Sequence, residues 1–458
     1  MLPANELFKR VGYLFYIASP NETSFEKLED VPDYIVQAVP LFVVFAIVEL
    51  VFNILHSKRD RFRIDDGLTS ISQGMLQELS RIFSEGALLA SYVYVYNNYR
   101  IITLPWNSAF TWFFAMLAVD FAYYWVHRCG HEMNLAWAGH QVHHSSEFYN
   151  LTTAMRQSVL QAYFDPILYM PLALVLSPSA YLVHHQFNRL YQFLIHTEAV
   201  QTLGPLEYIL NTPSHHRVHH GLDRYCIDKN YGGTLIIWDR LFGTFEVERC
   251  RPAYGLTHPV NTFDPWTLQA SYCVHHLRHI WNQVRKLEGF GNKLSAVFKG
   301  PGWEPGKSRL GNPDDIPDVS RPVEPYAPKT NSLCKAYVFA HFALLIFGYV
   351  RLNHLKEEME STTLACGIGY ITFSLVVLGT FLDGRTCASL LEAIRCALLF
   401  VLDAHVFHLG VPGNQIGGPA ALVSFTKVAY ACSLAGALVK CLQRFKVTRI
   451  KIKVNSSS

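Results

Sequence analysis

The stretch TWFFAMLAVDFAYYWVHRCGHEMNLAWAGHQVHH, residues 111–144, passes without a break from apolar side chains into five histidines spaced over residues 127–144. A helix needs about 20 mostly apolar residues to cross a bilayer, and residues 107–126 meet that condition apart from one acid, Asp120. The reading is therefore a membrane helix that ends by presenting imidazoles. What those imidazoles hold is the question the rest of the chain has to answer.

The whole chain fits a membrane setting. Of its 458 residues 50% are hydrophobic and only 16% are charged, with a mean hydropathy of +0.14, against about 25% charged residues in an ordinary soluble domain. The apolar residues come in blocks, at 34–55, 107–126, 335–352, 361–382, 388–409 and 418–440, with a weaker block at 83–103 interrupted by Asn97 and Asn98. Two further segments, 159–177 and 179–197, are broken by prolines and are expected to form a membrane hairpin or to dip into one leaflet. Short loops rich in Lys and Arg stay on the cytosolic side. Lys58, Arg59, Arg61 and Arg63 place the first loop there, and Lys440, Arg444, Lys446, Arg449, Lys451 and Lys453 place the tail there. An odd number of spans, seven or nine, reconciles the two. The N-terminus is then lumenal, with Asn21 of NET as a glycosylation acceptor.

The first 25 residues lack a long apolar run and a small-residue cleavage site, so no signal peptide is expected. Ten cysteines without a C-x-x-C pair read as reduced thiols. A net charge of +3 carries no argument for a nucleic-acid partner, and none is expected. The expected fold is an all-α polytopic membrane protein, a helical bundle with a histidine-rich site at its cytosolic face and extra C-terminal membrane helices. Four regions follow: 1–106 with the first membrane helices, 107–260 with the histidines, 261–332 as a cytosolic segment ending in a Pro/Gly-rich linker, and 333–458 with four membrane helices and the basic tail.

Twelve of the 21 histidines fall between residues 127 and 220. His127 and His131 are four apart; His140, His143 and His144 stand at i, i+3, i+4; His216, His219 and His220 repeat that pattern. Residues so spaced share one face of a helix, so each group aims its imidazoles at one point. Eight such nitrogens exceed the four of a structural zinc site and the three of a catalytic one. They suit two metal ions, each with an open position, and imidazole ligands suit iron, copper, nickel or zinc. The zinc-protease pattern H-E-x-x-H fails, because Leu135 stands where its second histidine belongs. A metal carrier would string its ligands along its spans, whereas these lie after and between them.

Metal-bound imidazoles need a partner on their second nitrogen. Asp120, Glu132, Asn150, Asn211, Asp228, Asn230 and Asp239 are the candidates. Asp120, an acid within an apolar span, is functional by default. His196, at the end of an apolar segment, is a candidate ninth ligand. His215 points away from His216 and is left out, as are His184, His185 and the scattered His341, His405 and His408.

H-x3-H, H-x2-H-H and H-x2-H-H in this order resemble the membrane fatty acid hydroxylase/sterol desaturase superfamily, as does NTPSHHRVHHG with DKNYGGTLIIWDRLFGTFE. WAGHQVHHSSEFYNLTTAMRQSVLQ, YGLTHPVNTF, FKGPGWEPGKSRLG and the extra C-terminal helices resemble its glyceryl-ether-cleaving branch. The resemblance implies a non-haem site of two Fe ions held by His127, His131, His140, His143, His144, His196, His216, His219 and His220. It also implies an endoplasmic reticulum enzyme with its histidines facing the cytosol. O2 is the expected co-substrate and tetrahydrobiopterin the reductant. The expected substrate is a 1-O-alkylglycerol or its lyso-phospholipid relative, drawn from the bilayer and hydroxylated beside the ether oxygen. Glu132, Glu147 and Tyr149 are the candidate pterin contacts. The alternative within the superfamily is a sterol or fatty acyl hydroxylase or desaturase served by cytochrome b5.

Overall fold

The long apolar runs are helical in the computed structural model, which describes residues 3–56, 61–82, 84–409 and 419–455. Lys58 and Arg59 of the basic loop lie outside the described residues. Among the described residues there is no β-strand, only two isolated bridges, Leu210 to Leu235 and Gly221 to Tyr254. The chain divides into two compact units, 1–260 with 269–325, and 261–268 with 326–458.

The first unit is built from α1 (Ala4–Leu14), α2 (Tyr34–Leu55), α3 (Ile64–Arg81), α4 (Glu85–Tyr99), α5 (Ala109–Glu132), α6 (Asn134–His140), α7 (Gln161–Tyr169), α8 (Pro178–Ile195), α9 (Pro213–His219) and α10 (Ile237–Phe242). The helix α2 shows how the sequence chooses a face. Tyr34, Ala38, Leu41, Glu49 and Asn53 recur at helical spacing and are buried. Val36, Val43, Val44, Ile47, Val48, Val51 and Ile54 are exposed. An apolar outer face of this length is matched to lipid rather than water. The inner face packs with α1, α5 and α8 around Leu14, Trp112, Val183, Phe187 and Leu190. A second cluster joins α4, α5, α7 and α8 through Tyr92, Val119, Val126, Tyr169 and Tyr181.

The second unit consists chiefly of α11 (Ser332–Leu355), α12 (Ser361–Leu382), α13 (Ala388–Leu402) and α14 (Ala420–Asn455), packed in sequence order.

Among the described residues, five helical segments have the length and apolarity of a membrane crossing: Leu28–Leu55, Ala109–Glu132, Ser332–Leu355, Ser361–Leu382 and Ala420–Gln443. This is a multi-pass membrane protein with fewer full-length candidates than seven or nine. The differences have local causes. The block at 83–103 yields a 15-residue helix, and 388–409 yields 15 helical residues followed by a π-turn at Asp403–Phe407. In place of a membrane hairpin, 159–177 gives the nine-residue α7 and a 3-10 turn at Met170–Leu174. Segment 179–197 becomes α8, whose Gln186 and Asn188 are buried and hydrogen-bonded inside the unit. All ten cysteines are unpaired.

Candidate metal centre

The helix α5 carries His127 and His131 on its last two turns, four residues apart and therefore on one face. The helix α6 ends at His140, and a 3-10 turn, His143–Ser145, follows at once. The helix α9 holds His216 and His219, with His220 closing it. His196 closes α8. Packing at the first two groups is tight at Gly130: a Cβ there would lie 3.2 Å from Cγ of His140.

These elements bring all nine histidines into two neighbouring sets, each buried and each with its ligand atoms within 4.8 Å of one another. His127, His131, His140, His144 and His219 form one; His143, His196, His216 and His220 form the other. The i, i+3, i+4 groups do not each aim at one point. His140 and His144 turn to the first set and His143 to the second, while His216 and His220 turn to the second and His219 to the first. The i, i+4 pair stays together and the middle residue crosses over, so each group serves both sets. The rings of His144 and His220 stack across the two sets at 4.3 Å.

Protonation states follow from the second nitrogens. Nδ1 of His127, His143, His196 and His219 lies 2.9, 3.1, 2.7 and 2.9 Å from the backbone carbonyls of Tyr231, Arg156, Gln192 and Lys229. A carbonyl only accepts, so each Nδ1 carries the proton and each Nε2 is a bare lone pair. Nε2 of His196 nevertheless sits 3.3, 3.1 and 3.2 Å from Nε2 of His143, His216 and His220. Nε2 of His127, His131 and His219 is buried without any hydrogen-bond partner among the described residues. Converging lone pairs repel unless a cation lies between them. Protonation is disfavoured: burial pushes His140 down to about 4. Burial, and then the neighbouring imidazoles, hold His144, His216 and His220 well below the usual range. Neutral imidazoles with fixed tautomers and orphaned buried nitrogens fit metal ions, held with no carboxylate in either set.

The polar residues expected to support these ligands act mostly through the backbone. Asp120 does not hold a histidine. It accepts from the Thr234 and Leu235 amides, from Asn188 and from the Trp238 indole. Asp239 accepts from the Tyr231 and Gly232 amides and from Thr244. A side chain at Gly232 would drive a Cβ to 2.5 Å from the Leu235 carbonyl. Asn211 donates to the Gly232 carbonyl at 2.5 Å. Asn230, at φ 56°, donates to the His215 and Glu246 carbonyls. Together they shape the 228–239 loop, which delivers the Lys229 and Tyr231 carbonyls to His219 and His127. Only Asp228 reaches a histidine, at 3.5 Å from Nδ1 of His131, and burial with the nearby Glu132 charge pushes it up to about 7.

Asn150 caps the turn Leu151–Met155 leading to Arg156. Glu132 is buried between Arg128 and Arg309, at 2.9 and 2.5 Å. The Tyr149 hydroxyl donates to the Ile195 carbonyl and its ring packs on His196 and Tyr254, making it a wall of the second set rather than an open stacking platform. Glu147 is half-buried. His215, His184 and His185 belong to neither set.

Three supports escaped the sequence reading. Gln161 offers its Oε1 to Nδ1 of His140 at 3.1 Å. Arg156, locked by Asp66 at 2.5 Å and Ser70 at 3.0 Å, fixes the carbonyl that holds His143. Glu49 accepts from the Leu151 amide at 2.8 Å and from the Thr197 hydroxyl, tying α2 to the turns beside His196 and Arg156. Glu49 is an acid inside an apolar span, the same signal that singled out Asp120.

Helical spans and two neighbouring sets of buried histidines, each able to hold a metal ion, are the marks of a membrane-bound oxidoreductase of the histidine-box class. The Fatty acid hydroxylase family profile matches residues 112–244, and the Alkylglycerol monooxygenase C-terminal domain profile matches 334–410. The chain is 52% identical to an alkylglycerol monooxygenase of Xenopus tropicalis over 86% of its length and 87% of the relative's. It is 51% identical to the Homo sapiens enzyme (85% and 86% covered) and 37% identical to the Caenorhabditis elegans enzyme (88% and 84%). The chain belongs to the alkylglycerol monooxygenase family. No solved structure matches it.

Proposed function

We propose that this protein is a tetrahydrobiopterin-dependent monooxygenase of the endoplasmic reticulum membrane, with its histidine site on the cytosolic face. It acts on 1-O-alkylglycerols and lyso-alkylglycerophospholipids. The observation that carries this reading is the pair of neutral-imidazole sets with bare, converging nitrogens, in a chain whose relatives bear the alkylglycerol monooxygenase name. Two iron ions in these sets would supply O2 activation. One oxygen atom enters the C–H bond beside the ether oxygen. The other leaves as water with two electrons and two protons from the reduced pterin. The product is a hemiacetal that collapses to a fatty aldehyde and a free glycerol hydroxyl.

The chain's own residues prepare this chemistry. Neutral imidazoles leave the metal charge intact, and the loop carbonyls at Lys229 and Tyr231 keep the rings oriented. Burial of all nine ligands excludes bulk water. Their place at the end of α5 lets an alkyl chain enter from the bilayer while its polar head stays near water. Nine ligands closed into one site argue against a metal carrier. The match to the C-terminal domain profile favours the ether-lipid branch over a sterol or fatty acyl hydroxylase using cytochrome b5. Purified protein given an alkylglycerol, O2 and reduced tetrahydrobiopterin is expected to release fatty aldehyde. Turnover of a methylsterol with cytochrome b5, and no aldehyde, would overturn the substrate assignment.

A further inference from the structure

The second unit contains a cavity of about 750 Å³ that the monooxygenase reaction does not use. It lies where the candidate spans beginning at Ser332 and ending at Leu382 and Gln443 terminate, and where α13 begins at Ala388. In a membrane that level is the headgroup zone. Three cations line it, Lys329, Arg385 and Lys440, and no acid does. Arg385 is largely neutralised by Asp383 at 2.9 Å and Asp264 at 3.4 Å. Lys329 and Lys440 have no acidic partner among the described residues, and both are exposed.

Two further observations point to an anion. The first turn of α13 has no side-chain cap, and although the Ala388, Leu390 and Leu391 amides are bonded to the Arg385 and Cys387 carbonyls, the Ser389 amide has no backbone partner among the described residues and is open to a negative group. Ser389, on that turn, lines the cavity, is only 6% exposed, and its hydroxyl has no protein partner among the described residues. In sequence, the chain beyond Lys440 adds Arg444, Lys446, Arg449, Lys451 and Lys453, and basic clusters just outside a span attract anionic lipid.

We propose that this cavity binds a phosphate group carried on the headgroup of an anionic phospholipid. Lys329 and Lys440 pair with its charge, and the Ser389 hydroxyl and amide donate to its oxygens. The site is separate from the histidine chemistry and holds whichever substrate that chemistry takes.

The test uses full-length protein stripped of lipid in an uncharged detergent. Dioleoylphosphatidic acid, dioleoylphosphatidylcholine and inorganic phosphate are titrated separately, with bound lipid counted by native mass spectrometry and the melting temperature followed in parallel. Phosphatidic acid is expected to bind and raise the melting temperature, with the other two ineffective at matched concentration. Lys329→Gln/Lys440→Gln is expected to weaken phosphatidic acid about 30-fold, from the attraction typical of two lysines near a membrane anion. Ser389→Ala is expected to weaken it to a smaller extent. Both variants keep wild-type aldehyde release, which separates a lost site from a misfolded chain. Equal phosphatidic acid binding by wild type and the double variant overturns the site, and inorganic phosphate acting as well as phosphatidic acid overturns the lipid.

Discussion

Each unit of this chain buries a constellation of polar side chains among apolar helices, and the two are satisfied in opposite ways. In the second unit, Arg395 donates to Glu392 at 2.8 and 2.7 Å, to the Tyr430 hydroxyl at 2.7 Å and to Nδ1 of His341 at 2.9 Å. His341 then meets the Ser433 hydroxyl through Nε2, and the Tyr337 hydroxyl donates to Glu392. Each of these side chains has a hydrogen-bond partner and positive charge meets negative charge. In the first unit the Nδ1 protons of His127, His143, His196 and His219 are spent on outward carbonyls, and their inward nitrogens meet only other imidazole nitrogens or, among the described residues, no hydrogen-bond partner. A complete network holds helices together, whereas converging lone pairs without donors are suited to a cation. Burial and histidine content alone do not separate the two; the pairing of hydrogen-bond partners does.

The strongest way to break this contrast is to remove one inward nitrogen. His143→Ala is expected to reduce aldehyde release to background, with membrane insertion unchanged because the apolar spans are untouched. Normal turnover would remove His143 from the site. Next in size is the complete network. Arg395→Met leaves Glu392 uncompensated in the core, a class of change that costs about 3–5 kcal/mol. A fall in melting temperature with metal content unchanged is the expected result, and loss of metal would erase the distinction between the two constellations.

Smaller effects test the supports. Asp228→Asn and Gln161→Ala each leave the ligands in place but loosen a ring, and partners of this kind are worth about 10–100-fold in metal affinity or activity. Metal titration of the stripped protein checks this, and unchanged affinity in both would confine ring control to the backbone carbonyls. Glu49→Gln keeps one acceptor at the Leu151 amide and removes the charge, so a loss of about 1–2 kcal/mol in stability is expected. Glu49→Ala should cost more, and equal melting temperatures for wild type and both variants would show that the clamp is idle.

The histidine site was legible because metal chemistry forces clustering. Spacing alone singled out eight of the nine histidines that the structure gathers, and the likeness to the superfamily brought in His196. The crossing of His143 and His219 to the opposite set was not legible. It depends on α6 giving way to a 3-10 turn after His140 and on α9 ending at His219, details that helical periodicity does not encode. The second-nitrogen partners were misread for a related reason. Carboxylates and amides can be seen in a sequence, but the acceptors used are mostly backbone carbonyls, which every residue has. Asp120 and Asp239 stand one step back, shaping the loop that supplies two of them. Membrane spans were legible where the apolar run was uninterrupted, as in α2 and α12. They were less legible where prolines or buried amides, as at Pro166, Gln186 and Asn188, interrupt an apolar segment or tie it into the core.

Metal content of active, purified protein, with the spin coupling of that metal, tests the central claim most directly. Two iron ions per chain, magnetically coupled and falling in His143→Ala in step with aldehyde release, is the result the two neighbouring histidine sets lead us to expect. Full activity with a single metal ion per chain, or with zinc alone, would contradict it.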